Sequence, residues 1–402
     1  MIHKFIVSNF YSIGDEQELD FTSGKLYSDS STKFDDTTYI SNVNCFVGAN
    51  ASGKTNIFKA LTFLLWFAEN SFYFDKTKVE NLFIPHLLKK EELTKFSLIF
   101  DINNNLYNYK VAFQNGKLVE ETLYNQGQKT FTYLYRLRND GDDNITIDYN
   151  RNNLLKRINK SEEERFKGSP NSSFLSFLMG TNYSKPFGFN KIVSDLYSNL
   201  YYIDSRSYNH EKESVNLSKT LENYQGKDEL LSYIRSFDFG IENYDINDNF
   251  IFRTAMGSEK KLVGFTHTNN NKTFVVSAMD ESAGTIKGIS LLIKLLNVLT
   301  NGGVAIIDEF DARLHYDIAR KLISLFANKE TNQNNAQLFF STHQPLFLND
   351  RDKKQIFLCY KEDFINTEVY RLDEIEGVRN TENFFEKYLS GEYGATPRLG
   401  TC

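Results

Sequence analysis

The chain has 402 residues, enough to bury a large core without disulfide or metal staples. A 41% hydrophobic and 24% charged composition, with 35 Phe and 23 Tyr against 5 Pro, excludes a largely disordered chain and predicts aromatic-rich cores. A formal net charge of -6 excludes a global electrostatic pull toward nucleic acid, so any DNA contact needs a local basic patch or a partner.

The opening MIHKFIVSNFYS lacks the cationic-then-apolar architecture of a secretory signal. Ile2, Phe5 and Val7, then Leu19 and Phe21, predict two short strands followed by a polar loop over 23–39. Residues 42–47 read as a strand running into a glycine turn. Residues 53–70 read as a helix, with Ile57, Ala60, Leu61, Leu64, Leu65 and Ala68 at helical spacing. The longest apolar run, 60–68, is too short to cross a bilayer, so no membrane segment is expected. Over 95–137 the segments FSLIFDI, LYNYKVAF, KLVEETLY and TFTYLYRL alternate with turns and predict an antiparallel meander. Signals are mostly helical over 150–248, broken by Gly168-Ser169-Pro170 and by a strand-like LYYID ending at Asp204. Within that stretch Arg151, Lys156, Arg157, Lys160, Arg165 and Lys167 outnumber the glutamates on a predicted helix, which reads first as a solvated face, with a DNA-contacting patch as the rival reading. Strand patterns return over 260–277. A helix over 285–299, the strand VAII, a helix over 314–327 and the strand QLFFS follow, an alternation that implies a parallel sheet. Cys45, Cys359 and Cys402 lie far apart without CxxC spacing, which suggests neither a zinc site nor a disulfide framework and fits a reducing cytoplasm.

Residues 48–55, GANASGKT, match GxxxxGK[ST] between a predicted strand and a predicted helix. Glycines there let backbone N–H groups cradle phosphates, the lysine reaches the β and γ oxygens, and the threonine hydroxyl ligates Mg²⁺. Gly48, Asn50, Ser52, Gly53, Lys54, Thr55 and Asn56 are therefore the expected ATP-binding residues. VAIIDE, 304–309, reads as a buried strand with two acids at its C-terminal end, where ligands sit in open α/β sheets. Alone it is a polar strand end. Beside a P-loop, Asp308 holds the Mg²⁺ hydration shell with Thr55, and Glu309 orients and deprotonates the attacking water. In DESAGT, 280–285, a serine hydroxyl, a glycine N–H and a helix N-terminus would form an outward anion site suited to a γ-phosphate bound on another subunit. An N-capping turn is the plainer reading of the same residues.

The separation of the P-loop from the acidic strand by more than half the chain resembles ABC-type ATPases of the SMC, RecF and OLD group. The opening FIVSNFYSIGDEQELDF is similar to theirs. DESAGT resembles their signature loop, with Ser-Ala-Gly-Thr in place of the more familiar LSGGQ and with Lys287 adding charge. Asp311-Ala312-Arg313-Leu314-His315 resembles the D-loop, with Tyr316 where relatives carry Pro, and Ser341-Thr342-His343 resembles the switch-histidine segment. The tail LSGEYGATPRL is similar to the closing segment of prokaryotic stand-alone relatives, among them RloA-like and abortive-infection proteins.

The resemblance implies an α/β, two-lobed ABC-type head with a mixed sheet and an antiparallel lobe. An N-terminal lobe over 1–149, a mainly helical insertion over 150–248 and a C-terminal lobe over 249–402 are expected. It implies Mg-ATP hydrolysis in a homo-oligomer, at least a dimer, with Glu309 and His343 catalytic and Ser282, Gly284 and Asp311 contacting nucleotide. The short stretch after His343 leaves no room for the nuclease domain of many OLD relatives, so an effector nuclease or toxin in trans is expected. A RecF- or SMC-like repair ATPase that binds DNA directly is the alternative. A scaffold with negligible turnover is the third reading, and Glu309 argues against it.

Overall fold

The computed structural model describes every residue except 25–27, 75–83, 128–129, 142–143, 151–157, 182–200, 205–208, 238, 254–258, 270–271, 362, 364 and 398–402. Arg151, Lys156 and Arg157 of the basic stretch and the last residues of the tail motif lie outside the described residues. The rest is mixed α/β and divides into two units. The first comprises Met1–Ile203, Val298–Asp308 and Phe326–Cys402, and the second Asp204–Asn297 and Glu309–Leu325.

In the first unit, helix Lys54–Asn70 follows strand Val43–Val47 and carries apolar residues on every side. Phe58 meets Phe46 of that strand, whereas Phe63 meets Phe96 and Phe113 on other strands. A helix apolar all round must be covered all round. Two sheets belong to this core. One is antiparallel with seven strands, in the order Ile145–Tyr149, Phe131–Asn139, Lys117–Gln126, Asn105–Gln114, Thr94–Ile102, Ile2–Ser8, Gln17–Asp20. It contains the expected meander, with Ile145–Tyr149 as a strand that periodicity does not announce. The other has six strands, in the order Tyr201–Asp204, Val304–Asp308, Gln337–Thr342, Val43–Val47, Ile356–Tyr360, Glu368–Arg371. Its pairings are parallel from Val304–Asp308 through to Ile356–Tyr360 and antiparallel at the last strand. The polar loop expected over 23–39 contributes to a small sheet of Thr22–Ser23, Tyr39–Ser41 and Ser31–Lys33.

Buried polar side chains tie these layers together. Gln337, fully buried, accepts the Ile2 N–H at 2.6 Å and donates to the carbonyls of Ile2 at 2.9 Å and Ser41 at 3.0 Å. Glu121, also fully buried, accepts from the hydroxyls of Tyr135 at 2.6 Å and Ser173 at 2.8 Å and from the N–H of Phe174 at 2.7 Å. Burial raises its pKa, while those donors oppose the shift.

The second unit holds helices His210–Glu222 and Lys227–Ser236, an antiparallel sheet of Asn243–Arg253, Glu259–Asn269 and Lys272–Ser277, and most of helices Ala283–Asn301 and Tyr316–Ala327. Residues 243–248, grouped by periodicity with the helical stretch, are strand. Tyr244 and Ile246 alternate there with Asn and Asp, residues poorly suited to strands, and this masks the period of two. Helix Ala283–Asn301 is long and apolar enough to cross a membrane, unlike the run at 60–68, but 67% of its apolar window is buried.

Candidate nucleotide site

The P-loop is shaped by two close approaches. A Cβ at Gly48 would lie 2.1 Å from the Cys359 carbonyl oxygen. At Gly53, with φ +105°, it would lie 2.0 Å from the Thr367 hydroxyl, so only glycine fits either place. Gly53 caps helix Lys54–Asn70 without a side-chain hydrogen bond, which leaves the helix N-terminus suited to an anion. Lys54 is buried and its ammonium donates to the carbonyls of Gly48 at 2.8 Å and Ala49 at 3.0 Å. The Ser52 hydroxyl is buried without a hydrogen-bond partner among the described residues, while Asn50 is exposed. An orphaned hydroxyl and an uncapped helix end beside a lysine fit a polyphosphate.

Thr55 donates its hydroxyl to Asp308 Oδ2 at 2.6 Å, and Ser341 donates to Asp308 Oδ1 at 2.5 Å. Asp308 is 1% exposed. Strand Gln337–Thr342, which carries Ser341, lies between the P-loop strand and the acidic strand, so parallel pairing brings all three C-terminal ends to one edge. Thr55 and Asp308 are hard oxygen donors. Among the described residues no cluster of three or more His, Cys, Asp or Glu could hold a metal. Mg²⁺ takes one or two protein oxygens and completes its shell with phosphate and water, which Thr55 and Asp308 suit as donors. His343 is exposed immediately after this strand.

The N-terminal turn and the tail both reach the P-loop. Asn56 donates its amide to Ser12 Oγ at 2.7 Å, and the Ser12 and Thr367 hydroxyls are 2.7 Å apart. The Ala49 N–H donates to the Ala395 carbonyl at 3.1 Å, and the Tyr388 hydroxyl reaches the same carbonyl at 3.1 Å. A cavity of about 140 Å³ lies there, with Asn50, Ser52, Tyr360, Lys361 and Thr396 in its lining.

Ser282, Gly284, Glu309 and Asp311 belong to the second unit. Ser282 is exposed at the start of helix Ala283–Asn301, and its Oγ accepts the Thr285 N–H at 3.0 Å, the geometry of a serine cap. A Cβ at Gly284 would lie 3.1 Å from the Arg313 carbonyl oxygen, so the loops at 280–285 and 309–315 pack closely. Glu309 at φ 51° and Arg313 at φ 65° turn the second of these loops, and Asp311 Oδ1 is buried without a hydrogen-bond partner among the described residues. Lys287, expected to add charge at the signature loop, points inward rather than to solvent. It is buried, donates its ammonium to the Ala312 carbonyl, and has its pKa pushed down to about 8, chiefly by burial.

Sequence reasoning gave no role to Ser341, Ser12 or Thr367. The signal for Ser341 is a serine at the end of an otherwise apolar buried strand, whose meaning depends on a sheet order that periodicity cannot supply.

A glycine-shaped phosphate cradle on a strand-to-helix turn, with a threonine bonded to an acid from a second parallel strand, defines a P-loop nucleotide-binding domain of the AAA/ABC-like ATPases. The chain belongs to the family described as "AAA domain, putative AbiEii toxin, Type IV TA system", whose model matches residues 43–349. No curated protein matches the chain.

Proposed function

We propose that this protein is an ATPase with a two-lobed ABC-type head, whose active site is completed by a second copy of the chain. Lys54, Thr55 and the P-loop N–H groups of one copy bind the triphosphate, and Ser282 and Gly284 of the other close over the γ-phosphate. Thr55 and Asp308 would hold Mg²⁺, which when bound would neutralise developing phosphate charge. Glu309 orients and deprotonates the attacking water, His343 hydrogen-bonds the γ-phosphate, and Asp311 contributes from the D-loop. Phosphoryl transfer rests on positioning and charge stabilisation, so a head without its mate turns over slowly and closure is the controlled step.

The observation that carries the reading is the Thr55–Asp308 hydrogen bond of 2.6 Å beside an uncapped helix N-terminus. The exposure of Ser282 supports the shared site, because a loop buried in its own unit could not reach a second copy. The family's description as a putative AbiEii toxin of a type IV toxin–antitoxin system supports a role in such a system, and we read the chain as a cytoplasmic regulatory ATPase of anti-phage defence that governs a separate nuclease or toxin. Direct DNA binding has less support. In the described half of the basic stretch, Lys167 pairs with Glu164 and the Arg165 guanidinium lies over the Phe72 ring.

Nucleotide binding and turnover measured in parallel on two variants test this reading. Lys54→Ala loses ATP binding, whereas Ser282→Arg binds ATP with near wild-type affinity and loses turnover. Unchanged affinity in the first variant rejects the P-loop assignment, and full turnover in the second rejects the shared site.

A further inference from the structure

We infer that His267 is a positioning residue for the signature loop, holding Ser282 at the height from which it meets a second copy's nucleotide through a bond to Glu281. The inference rests on the shared-site reading above and names a residue that governs it.

The path into the loop is well anchored as far as Asp280. Ala278 donates its N–H to the Val263 carbonyl at 3.0 Å, and the Ala278 carbonyl accepts the Ser214 hydroxyl at 2.9 Å. His210 Nε2 lies 3.0 Å from the Met279 carbonyl oxygen, and the N–H groups of Asp280 at 2.9 Å and Glu281 at 3.2 Å return to the Ser277 carbonyl. Glu281 is where this anchoring passes to the exposed Ser282. Its side chain is only 10% exposed, and Oε1 lies 2.7 Å from His267 Nε2. A carboxylate so covered needs a donor, and the loop keeps this posture while the imidazole supplies one.

The imidazole is itself held. His267 pairs in register with Phe274 across the hairpin of Glu259–Asn269 and Lys272–Ser277, and their rings stack at 5.4 Å with an interplanar angle of 14°. The ring is also close to Gly240, where a Cβ would lie 3.6 Å from Nδ1. With one face on Phe274 and Gly240 close by, the ring has little freedom to follow Glu281 if the loop moves. The sheet therefore sets the loop, and Ser282, next in the chain, inherits the setting. A displacement of roughly 1 Å can cost a positioning-governed reaction about a hundredfold in rate, so the bond matters to turnover without touching the nucleotide of its own copy.

Mixtures of variants separate this role from a general folding defect. His267→Ala alone binds ATP normally and loses about tenfold or more in turnover, and His267→Gln, whose amide can donate to Glu281, recovers part of the loss. In the control mixture, Ser282→Arg with Lys54→Ala regains activity, because one intact P-loop meets one intact signature loop. His267→Ala follows the same pattern: it regains activity with Lys54→Ala and not with Ser282→Arg. If the control regains activity but the mixture of His267→Ala with Lys54→Ala does not, or if His267→Ala alone keeps full turnover, His267 has no such role while the shared site stands. If the control itself stays inactive, the shared-site reading falls and the role of His267 with it.

Discussion

Each oxygen of the Asp308 carboxylate has its own donor, Thr55 from the P-loop helix and Ser341 from the neighbouring strand. A carboxylate held at both oxygens is fixed in orientation, which suits a cation with strict octahedral geometry. Removing one hydrogen bond to a charged group costs about 1.5–3 kcal/mol, so Ser341→Ala raises the Mg²⁺ concentration for half-maximal nucleotide binding by roughly tenfold or more. Titration of Mg²⁺ against a fluorescent ATP analogue measures it, and an unchanged midpoint contradicts the role. Lys54, Thr55 and Asp308 are legible because each has a chemical role within its own motif, whereas Ser341 stands in the switch-histidine segment with no role of its own there. Ser341 acquires meaning only from the strand order, which places its strand between two motifs distant in the chain.

At the scale of elements, helix Lys54–Asn70 shows what periodicity registers and what it passes over. The stripe of Ile57, Leu61, Leu64 and Ala68 marks the helix, but Phe58, Phe63 and Phe67 are buried as well, because the helix is covered on more than one side. Near its C-terminus Glu69 is half-buried with no cation bonded to it among the described residues, and burial pushes its pKa up to about 7. The folded state thus binds the proton more tightly than the unfolded chain, whose pKa is near 4.5. Stability from this group is complete below about 4.5 and declines as pH rises toward 7, and the negative charge near a helix C-terminus adds to the penalty. Glu69→Gln accordingly raises Tm at pH 8 and leaves it almost unchanged at pH 4.5. A thermal scan of both proteins at the two pH values checks this, and an equal shift at both contradicts the assignment. Strand Asn243–Arg253 is the opposite case, an element whose polar residues concealed a pattern of two.

For the whole molecule, the alternation of strands and helices after residue 285 foretold the parallel sheet, and the run of strands and turns from 95 foretold the antiparallel one. The order of strands was not legible, because it depends on which apolar faces cover helix Lys54–Asn70 and on buried ties such as Gln337 to Ile2. The family assignment accounts for a P-loop ATPase, and the proposed shared site adds that ATP joins two copies of the chain. That addition is tested most directly by the molar mass of Glu309→Gln in solution, measured by light scattering with and without Mg-ATP. The shared site predicts a monomer's mass without nucleotide and twice that mass with it, and no doubling when Lys54→Ala or Ser282→Arg is added. A mass that stays the same with and without ATP would contradict it.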